Sequence, residues 1–157
     1  MTFAEKSQQV AVDYILDQFK PDDRIAVVMI NRQEHRTVQR IMDAGRAVTD
    51  GFQGYLRSMN VQKYEIYLGA NRLNQQATGR TKKDVGEIQR VFLDIDENGK
   101  EALEKLCKHP ALEPPNYVLS SSPGKYQVLW NVKDFTPAQA EQLSRNMVRE
   151  FSGDPAR

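Results

Sequence analysis

The chain has 157 residues, enough for one domain with a hydrophobic core and too few for two full-sized domains. Its 22 basic and 21 acidic residues give a net charge of +1, so a surface that attracts nucleic acid must be local. One cysteine excludes an internal disulfide and a CxxC zinc site, and two histidines far apart in sequence argue against HExxH zinc proteases. The longest apolar run, residues 25–30, is too short to cross a membrane, and the N-terminus has no signal-peptide pattern. We therefore expect a cytoplasmic domain, without a membrane partner, whose chemistry depends on carboxylates.

The hydrophobic pattern predicts helices and strands in alternation. In the first half it predicts a helix over residues 4–19, a buried strand over 25–30, a helix over 38–48, and a hairpin of strands 52–59 and 64–70. In the second half it predicts a strand over residues 91–96, a helix over 99–107, a hairpin of strands 116–121 and 126–132, and a final helix. That last helix should begin with a capping box at Thr136.

The order strand, helix, hairpin therefore occurs twice. It predicts an α+β fold of two βαββ-like halves in a single domain over residues 1–157. We expect mostly antiparallel sheets with helices on one face, close to RRM-like or ferredoxin-like packing.

The strongest chemical signal is a pair of carboxylates at the end of the predicted strand 91–96. Asp94 and Asp96 are two residues apart, so a strand places both side chains on one face. Adjacent carboxylates repel each other unless a cation neutralises them, and nucleotidyl transfer uses two Mg²⁺ or Mn²⁺ ions. The alternative is that this segment simply leaves the strand and that Asp96 or Asn98 caps the next helix.

Residues 94–99 also match the first half of an EF-hand calcium loop. The twelfth position of that loop requires a bidentate glutamate and here is Lys105. The first aspartate should also follow a helix, whereas residues 91–93 predict a strand. The EF-hand interpretation fails on both counts.

Two further segments have the chemistry to bind anions. The hairpin tip at residues 120–126 offers serine hydroxyls, backbone N–H groups and the charge of Lys125, which suit a triphosphate; the alternative is a simple tight turn. Residues 71–89 predict a long loop, and together with Arg90 they hold five basic and two acidic residues, a local net charge of +3. Its Arg80, Lys82 and Lys83 could grip phosphates of a template strand, or the loop could be merely solvated.

Together these motifs resemble the plasmid RepB-type primase domain, a branch of the archaeo-eukaryotic primase superfamily. The resemblance extends through most of the chain. It includes the strand that begins at Ile25 and the segments Gly79-Arg-Thr-Lys-Lys-Asp, Phe92-Leu-Asp-Ile-Asp-Glu-Asn-Gly and Ser121-Ser-Pro-Gly-Lys-Tyr-Gln. The aspartate pair followed at this spacing by the Ser-Pro-Gly-Lys hairpin is its most specific part.

The resemblance implies a two-metal DNA primase that builds a short primer from nucleoside triphosphates on single-stranded DNA, for plasmid or mobile-element replication. It assigns catalysis and metal binding, with Mg²⁺ or Mn²⁺, to Asp94 and Asp96. Nucleotide binding falls to the hairpin residues Ser121, Ser122, Gly124, Lys125 and Gln127. Gln127 stands where the superfamily usually has a histidine, which removes a titratable cation near the triphosphate and keeps a hydrogen-bond donor.

The C-terminal end departs from the family pattern. The family continues beyond the Gly153-Asp-Pro-Ala segment, so the chain looks like part of a longer protein, linked to or followed by a helical, helicase or relaxase domain. Asp154 is our choice for the third catalytic, metal-binding carboxylate; the alternative is an acidic residue beyond Arg157. With three residues after Asp154 to hold it, we expect the isolated chain to bind metal weakly and synthesise little primer.

Two other functions remain open. A non-catalytic, RRM-like module for single-stranded nucleic acid would stack bases on Tyr64, Tyr67 or Trp130 and use the aspartates only as caps. A regulatory nucleotide-binding domain would bind metal without catalysis. Exposed aromatic side chains on one sheet face favour the binding module. The primase interpretation instead requires Asp94 and Asp96 to share a sheet face with Ser122 and Gln127.

Overall fold

The computed structural model describes residues 2–152 of the chain. It divides into two compact units, Met1–Gly86 and Glu87–Arg157, and each is built on its own three-stranded antiparallel sheet. The α+β class predicted from the sequence is confirmed. Among the described helices, none is both long enough and apolar enough to cross a membrane.

In the first unit, a long helix is followed by two strands, two shorter helices and a third strand. Its elements are α1 (Phe3–Gln18), β1 (Arg24–Asn31), β2 (Arg36–Asp43), α2 (Ala44–Ala47), α3 (Asp50–Val61) and β3 (Glu65–Leu68), with sheet order β2-β1-β3. On one face of the central strand, Ile25 and Val27 join the buried Ile15 of α1 and Phe19, which follows that helix, in a core. On the other face, Ala26 packs with Leu73 and Ala77 of the segment that follows β3. Both faces of β1 are therefore covered.

The sequence prediction is wrong in two elements of this unit. The predicted helix over residues 38–48 is mostly strand β2, and the predicted strand over 52–59 is helix α3. The residues of β2 pair one to one with those of β1, and this long-range pairing outweighs an apolar spacing that also fits a helix. Phe52, Tyr55, Leu56 and Met59 have the spacing of a helix face, and they pack toward the core. The order is thus ββααβ rather than βαββ.

The second unit has the predicted βαββ order followed by a helix. Its elements are β4 (Ile88–Ile95), α4 (Gly99–Cys107), β5 (Tyr117–Ser122), β6 (Lys125–Phe135), α5 (Pro137–Met147) and a π-helical turn (Val148–Ser152), with sheet order β4-β6-β5. The capping box predicted at Thr136 is present: its side chain accepts from the N–H of Gln139, and the Gln139 side chain accepts from the Thr136 N–H.

Helices cover one face of this second sheet. Alternate residues of β4, Leu93 and Ile95, are buried against Leu106 of α4 and Met147 of α5, with Val128 and Trp130 of β6 in the same cluster. The residues that alternate with them, Phe92 and Asp94, are exposed on the opposite face. The sheet therefore has one apolar, helix-covered face and one face that presents a carboxylate.

Candidate functional site

Asp94 and Gln127 face each other across two paired strands. Their Cα atoms are partners in the antiparallel register of β4 and β6, so both side chains project from the same sheet face. The Gln127 side-chain Nε2 donates a hydrogen bond of 3.2 Å to Asp94 Oδ1. Asp94 is exposed and Gln127 half-buried, so this carboxylate is accessible and its orientation is already fixed by the amide.

Asp96 lies just beyond the strand. β4 ends at Ile95, so Asp94 belongs to the strand and Asp96 does not. The alternation of strand faces therefore fixes the face of Asp94 but not that of Asp96. Asp96 is half-buried, whereas Asp94 is exposed. Asn98 occupies the N-cap position of α4, but within the described chain its side chain makes no capping hydrogen bond. The alternative in which Asn98 serves as a helix cap therefore loses its support.

The hairpin tip next to the carboxylates is a tight turn. Ser122 pairs with Lys125, which leaves Pro123 and Gly124 as the two loop residues. Gly124 has φ of 76°, and proline before it favours the type II turn, whose third residue requires this left-handed conformation. Gly124 and Lys125 are exposed. The tip thus offers backbone and a lysine to solvent beside β4.

Three of the predicted site residues lie wholly or partly outside the part of the chain that the structure describes. The side chains of Ser121 and Ser122 lie outside the described residues, although the backbone of both belongs to β5. Asp154, predicted as the third carboxylate, also lies outside them. Within residues 2–152, no cluster of three or more His, Cys, Asp or Glu side chains has the arrangement of a metal site. Among the described residues, Asp94 and Asp96 are therefore not joined by a third side chain of these types.

The predicted basic loop is exposed at its tip and ordered at its base. Arg80, Lys82 and Lys83 are all exposed, and Arg80 Nε donates to Gln39 Oε1 of β2 at 2.9 Å. The Asp84 carboxylate accepts hydrogen bonds from the Thr81 hydroxyl and N–H, which hold the pKa of Asp84 below its usual value. The loop thus presents its cations from a hydrogen-bonded turn.

The base of this loop is tied to the first sheet. The buried Leu73 donates its N–H to Arg24 O at 2.7 Å and forms an isolated bridge with Val85. The segment is therefore an ordered loop that packs on one face of β1. Its sequence has no hydrophobic periodicity, so this packing could not be predicted from it.

The aromatic residues of the binding-module alternative are mostly buried. Tyr64 and Trp130 are each 7% exposed, and Trp130 donates its indole N–H to Glu113 O. Tyr67 is 43% exposed, but its hydroxyl donates to Glu65 and accepts from Arg32, contacts that raise the pKa of Arg32. Two of the three proposed stacking residues are thus core residues, which disfavours a base-stacking sheet.

Two residues near the carboxylates were not singled out from the sequence. Phe92 is 40% exposed and lies on the same strand face as Asp94, where an aromatic ring is available to a ligand. Gly99 is buried at the start of α4, directly against the backbone of Gly124. The two-residue periodicity of the strand places Phe92 on the face of Asp94, so the sequence could have indicated its exposure. The contact of Gly99 with Gly124 depends on tertiary structure and has no such signal.

Comparison with known proteins identifies the family of the chain and structures with a similar fold. The profile of a family described as the RepB DNA-primase N-terminal domain matches residues 32–157. A crystal structure of the catalytic domain of primase RepB′ in complex with initiator DNA has a similar fold, with a TM-score of 0.62 and 18% identity over 92% of this chain and 69% of that one. A crystal structure of primase RepB′ has a TM-score of 0.63 and 18% identity over 92% of this chain and 45% of that one. No curated protein sequence matches the chain.

Proposed function

We propose that this chain, which belongs to the RepB DNA-primase N-terminal domain family, is the catalytic domain of a DNA primase. In this proposal the single domain spans residues 1–157. The reaction is nucleotidyl transfer: the primer 3′-hydroxyl attacks the α-phosphorus of a nucleoside triphosphate on a single-stranded DNA template. The observation that supports this most is the pairing of Asp94 with Gln127, because it joins the carboxylate strand to the nucleotide hairpin. An RRM-like arrangement of the βαββ unit is part of the proposal.

The donor set suits Mg²⁺ or Mn²⁺. Carboxylate oxygens are the ligands these ions prefer, and Mg²⁺ requires a nearly octahedral shell that two aspartates cannot fill. Asp94 and Asp96 would hold the ions, with Asp154 and triphosphate oxygens as further ligands. When bound, the ions supply charge neutralisation for the attacking and leaving oxygens.

The hairpin residues would hold the triphosphate. Lys125 contributes a positive charge, and backbone N–H groups near Gly124, with Ser121 and Ser122, contribute donors. The Gln127 amide orients Asp94 and remains uncharged at every pH. Catalysis then depends on positioning and electrostatics and requires no covalent intermediate.

The template strand would contact Arg80, Lys82 and Lys83. These three cations are exposed on a turn whose backbone is hydrogen-bonded, so phosphate contacts there order only side chains. The related structure in complex with initiator DNA supports a DNA partner. This chain aligns with 45% of the length of the second RepB′ structure, and a linked helical, helicase or relaxase domain is part of the proposal. Such a primase would act in the cytoplasm, where plasmid DNA replicates.

Asp94→Asn tests the proposal directly. The substitution keeps an oxygen that can accept from Gln127 and removes the charge that binds metal, so primer synthesis should fall to background while the fold is retained. Synthesis is measured on single-stranded DNA with Mn²⁺ in the full-length protein that contains this chain. Calorimetry of the chain itself with Mn²⁺ and a nucleotide should show binding that the variant lacks.

Glu101→Gln is the matched control. It removes a carboxylate charge from the exposed first turn of α4, in the same unit, and should leave synthesis unchanged. Wild-type-like synthesis by Asp94→Asn would overturn the catalytic assignment.

A further inference from the structure

A close approach of two glycines joins the carboxylate segment to the hairpin tip. Gly99, the first residue of α4, is buried and lies three residues after Asp96. A Cβ added to Gly99 would overlap the carbonyl oxygen of Gly124. It would also stand 2.8 Å from that carbonyl carbon and 3.0 Å from Cδ2 of Tyr126. Only glycine permits two backbones to approach this closely.

Two turns bring these segments together. Asn98 has φ of 49°, a left-handed conformation that redirects the chain between the end of β4 and α4. Gly124, with φ of 76°, closes the hairpin immediately before Lys125. The backbone contact therefore lies within a few residues of both the carboxylates and the lysine.

We propose that Gly99 is a positioning residue: its missing side chain sets the distance between the hairpin tip and the start of α4. It thereby places Lys125 for the triphosphate, beside Gln127, whose position opposite Asp94 is set by the strand pairing. The inference rests on the proposed function, since it identifies what holds the nucleotide hairpin of that same site.

A side chain at position 99 would displace the hairpin rather than the helix. α4 is anchored in the core by Ala102 and Leu106, which are 7% and 1% exposed, and close-packed interiors resist compression. Pro123, Gly124 and Lys125 at the tip are exposed and can move outward. A misplacement of about 1 Å in a positioning group costs on the order of 100-fold in rate.

Gly99→Ala, compared with wild type, is the test. Hydrogen exchange at the amides of residues 124–127 should accelerate, because the tip is pushed away from α4. In primer synthesis, the KM for the nucleotide should rise about ten- to a hundredfold, with a smaller change in kcat. Gly51→Ala in α3 is the control, since a Cβ there meets nothing within 4 Å, and it should change neither quantity.

A second variant isolates the contact. One glycine inserted between Gly124 and Lys125 lengthens the exposed turn and relaxes the contact without altering α4. In that background Gly99→Ala should raise the nucleotide KM much less than it does in the wild-type background. A double-mutant cycle measures this difference. If Gly99→Ala folds only in the lengthened background, that rescue supports the proposal.

Two results would overturn the positioning role. One is unchanged amide exchange at residues 124–127 in Gly99→Ala. The other is an equal effect of Gly99→Ala on the nucleotide KM in both backgrounds. If the wild-type protein binds no nucleotide and makes no primer, the proposed function fails, whereas the exchange measurement still decides the role of Gly99.

Discussion

The two three-stranded sheets of this chain are covered differently. In the first unit, helices cover one face of β1 around Val27, and the segment after β3 covers the other face around Ala26. In the second unit, helices cover one face of β4 around Leu93, and the other face presents the exposed Asp94. An antiparallel sheet can leave one face to solvent, and alternate residues of its strands are then free for polar chemistry. The first sheet is a scaffold, and the second carries the candidate site.

Neighbouring residues of β4 should therefore separate stability from activity. Leu93→Ala, at a position 1% exposed, should lower the free energy of unfolding by about 2–5 kcal/mol because it leaves a cavity. Asp94→Asn, one residue later on the open face, should change it by less than about 0.5 kcal/mol. Urea unfolding followed by fluorescence of Trp130, the single tryptophan, measures both. Similar losses in the two variants would contradict a buried Leu93 beside an exposed Asp94.

The two covered faces of β1 should both contribute to stability. Val27→Ala on the helix side and Leu73→Ala on the loop side should each cost about 2 kcal/mol or more, because both side chains are buried. Circular dichroism during urea unfolding, which reports the helices and strands of both units, measures the loss in each variant. Leu16→Ala, at a position 51% exposed, is the control with little expected effect. A negligible cost for Leu73→Ala would mean that residues 71–86 are merely a solvated loop.

The same contrast explains what the sequence could predict. The continuous apolar run of β1 and the alternating end of β4 each predict a strand, and both strands are present. Over residues 38–59 the sequence predicts a helix and then a strand, whereas the structure has β2 followed by α2 and α3. Short apolar spacings fit either period, and partner strands decide between them. The aspartates and the hairpin were recognised as local motifs. The contact of Gly99 with Gly124 joins residues 25 positions apart, and no local pattern indicates it.

The basic turn of the first unit should contribute salt-dependent DNA affinity, in contrast to the substrate contacts of the second unit. Arg80→Ala with Lys82→Ala should flatten the dependence of log affinity on log salt by about 0.7 for each phosphate that the variant no longer neutralises. Binding of a labelled oligothymidine at several salt concentrations measures this slope. Lys6→Ala with Lys133→Ala removes the same charge at exposed positions outside the loop and should leave the slope unchanged. An unaltered slope in the loop variant would assign the DNA-binding surface elsewhere.

Gln127→His tests whether a titratable cation opposite Asp94 strengthens nucleotide binding. An imidazole has an ordinary pKa near 6.5, and the adjacent Asp94 carboxylate should raise it, so the ring gains charge as the pH falls toward 6. One added charge near a solvated triphosphate contributes about 1 kcal/mol, roughly fivefold in affinity. Nucleotide affinity of the variant, measured by calorimetry with Mn²⁺, should therefore increase from pH 8 to pH 6, relative to wild type. Asn131→His lies on the same strand, four residues further, and should show no such increase. If both histidine variants gain affinity equally, general charge rather than the position opposite Asp94 governs nucleotide binding.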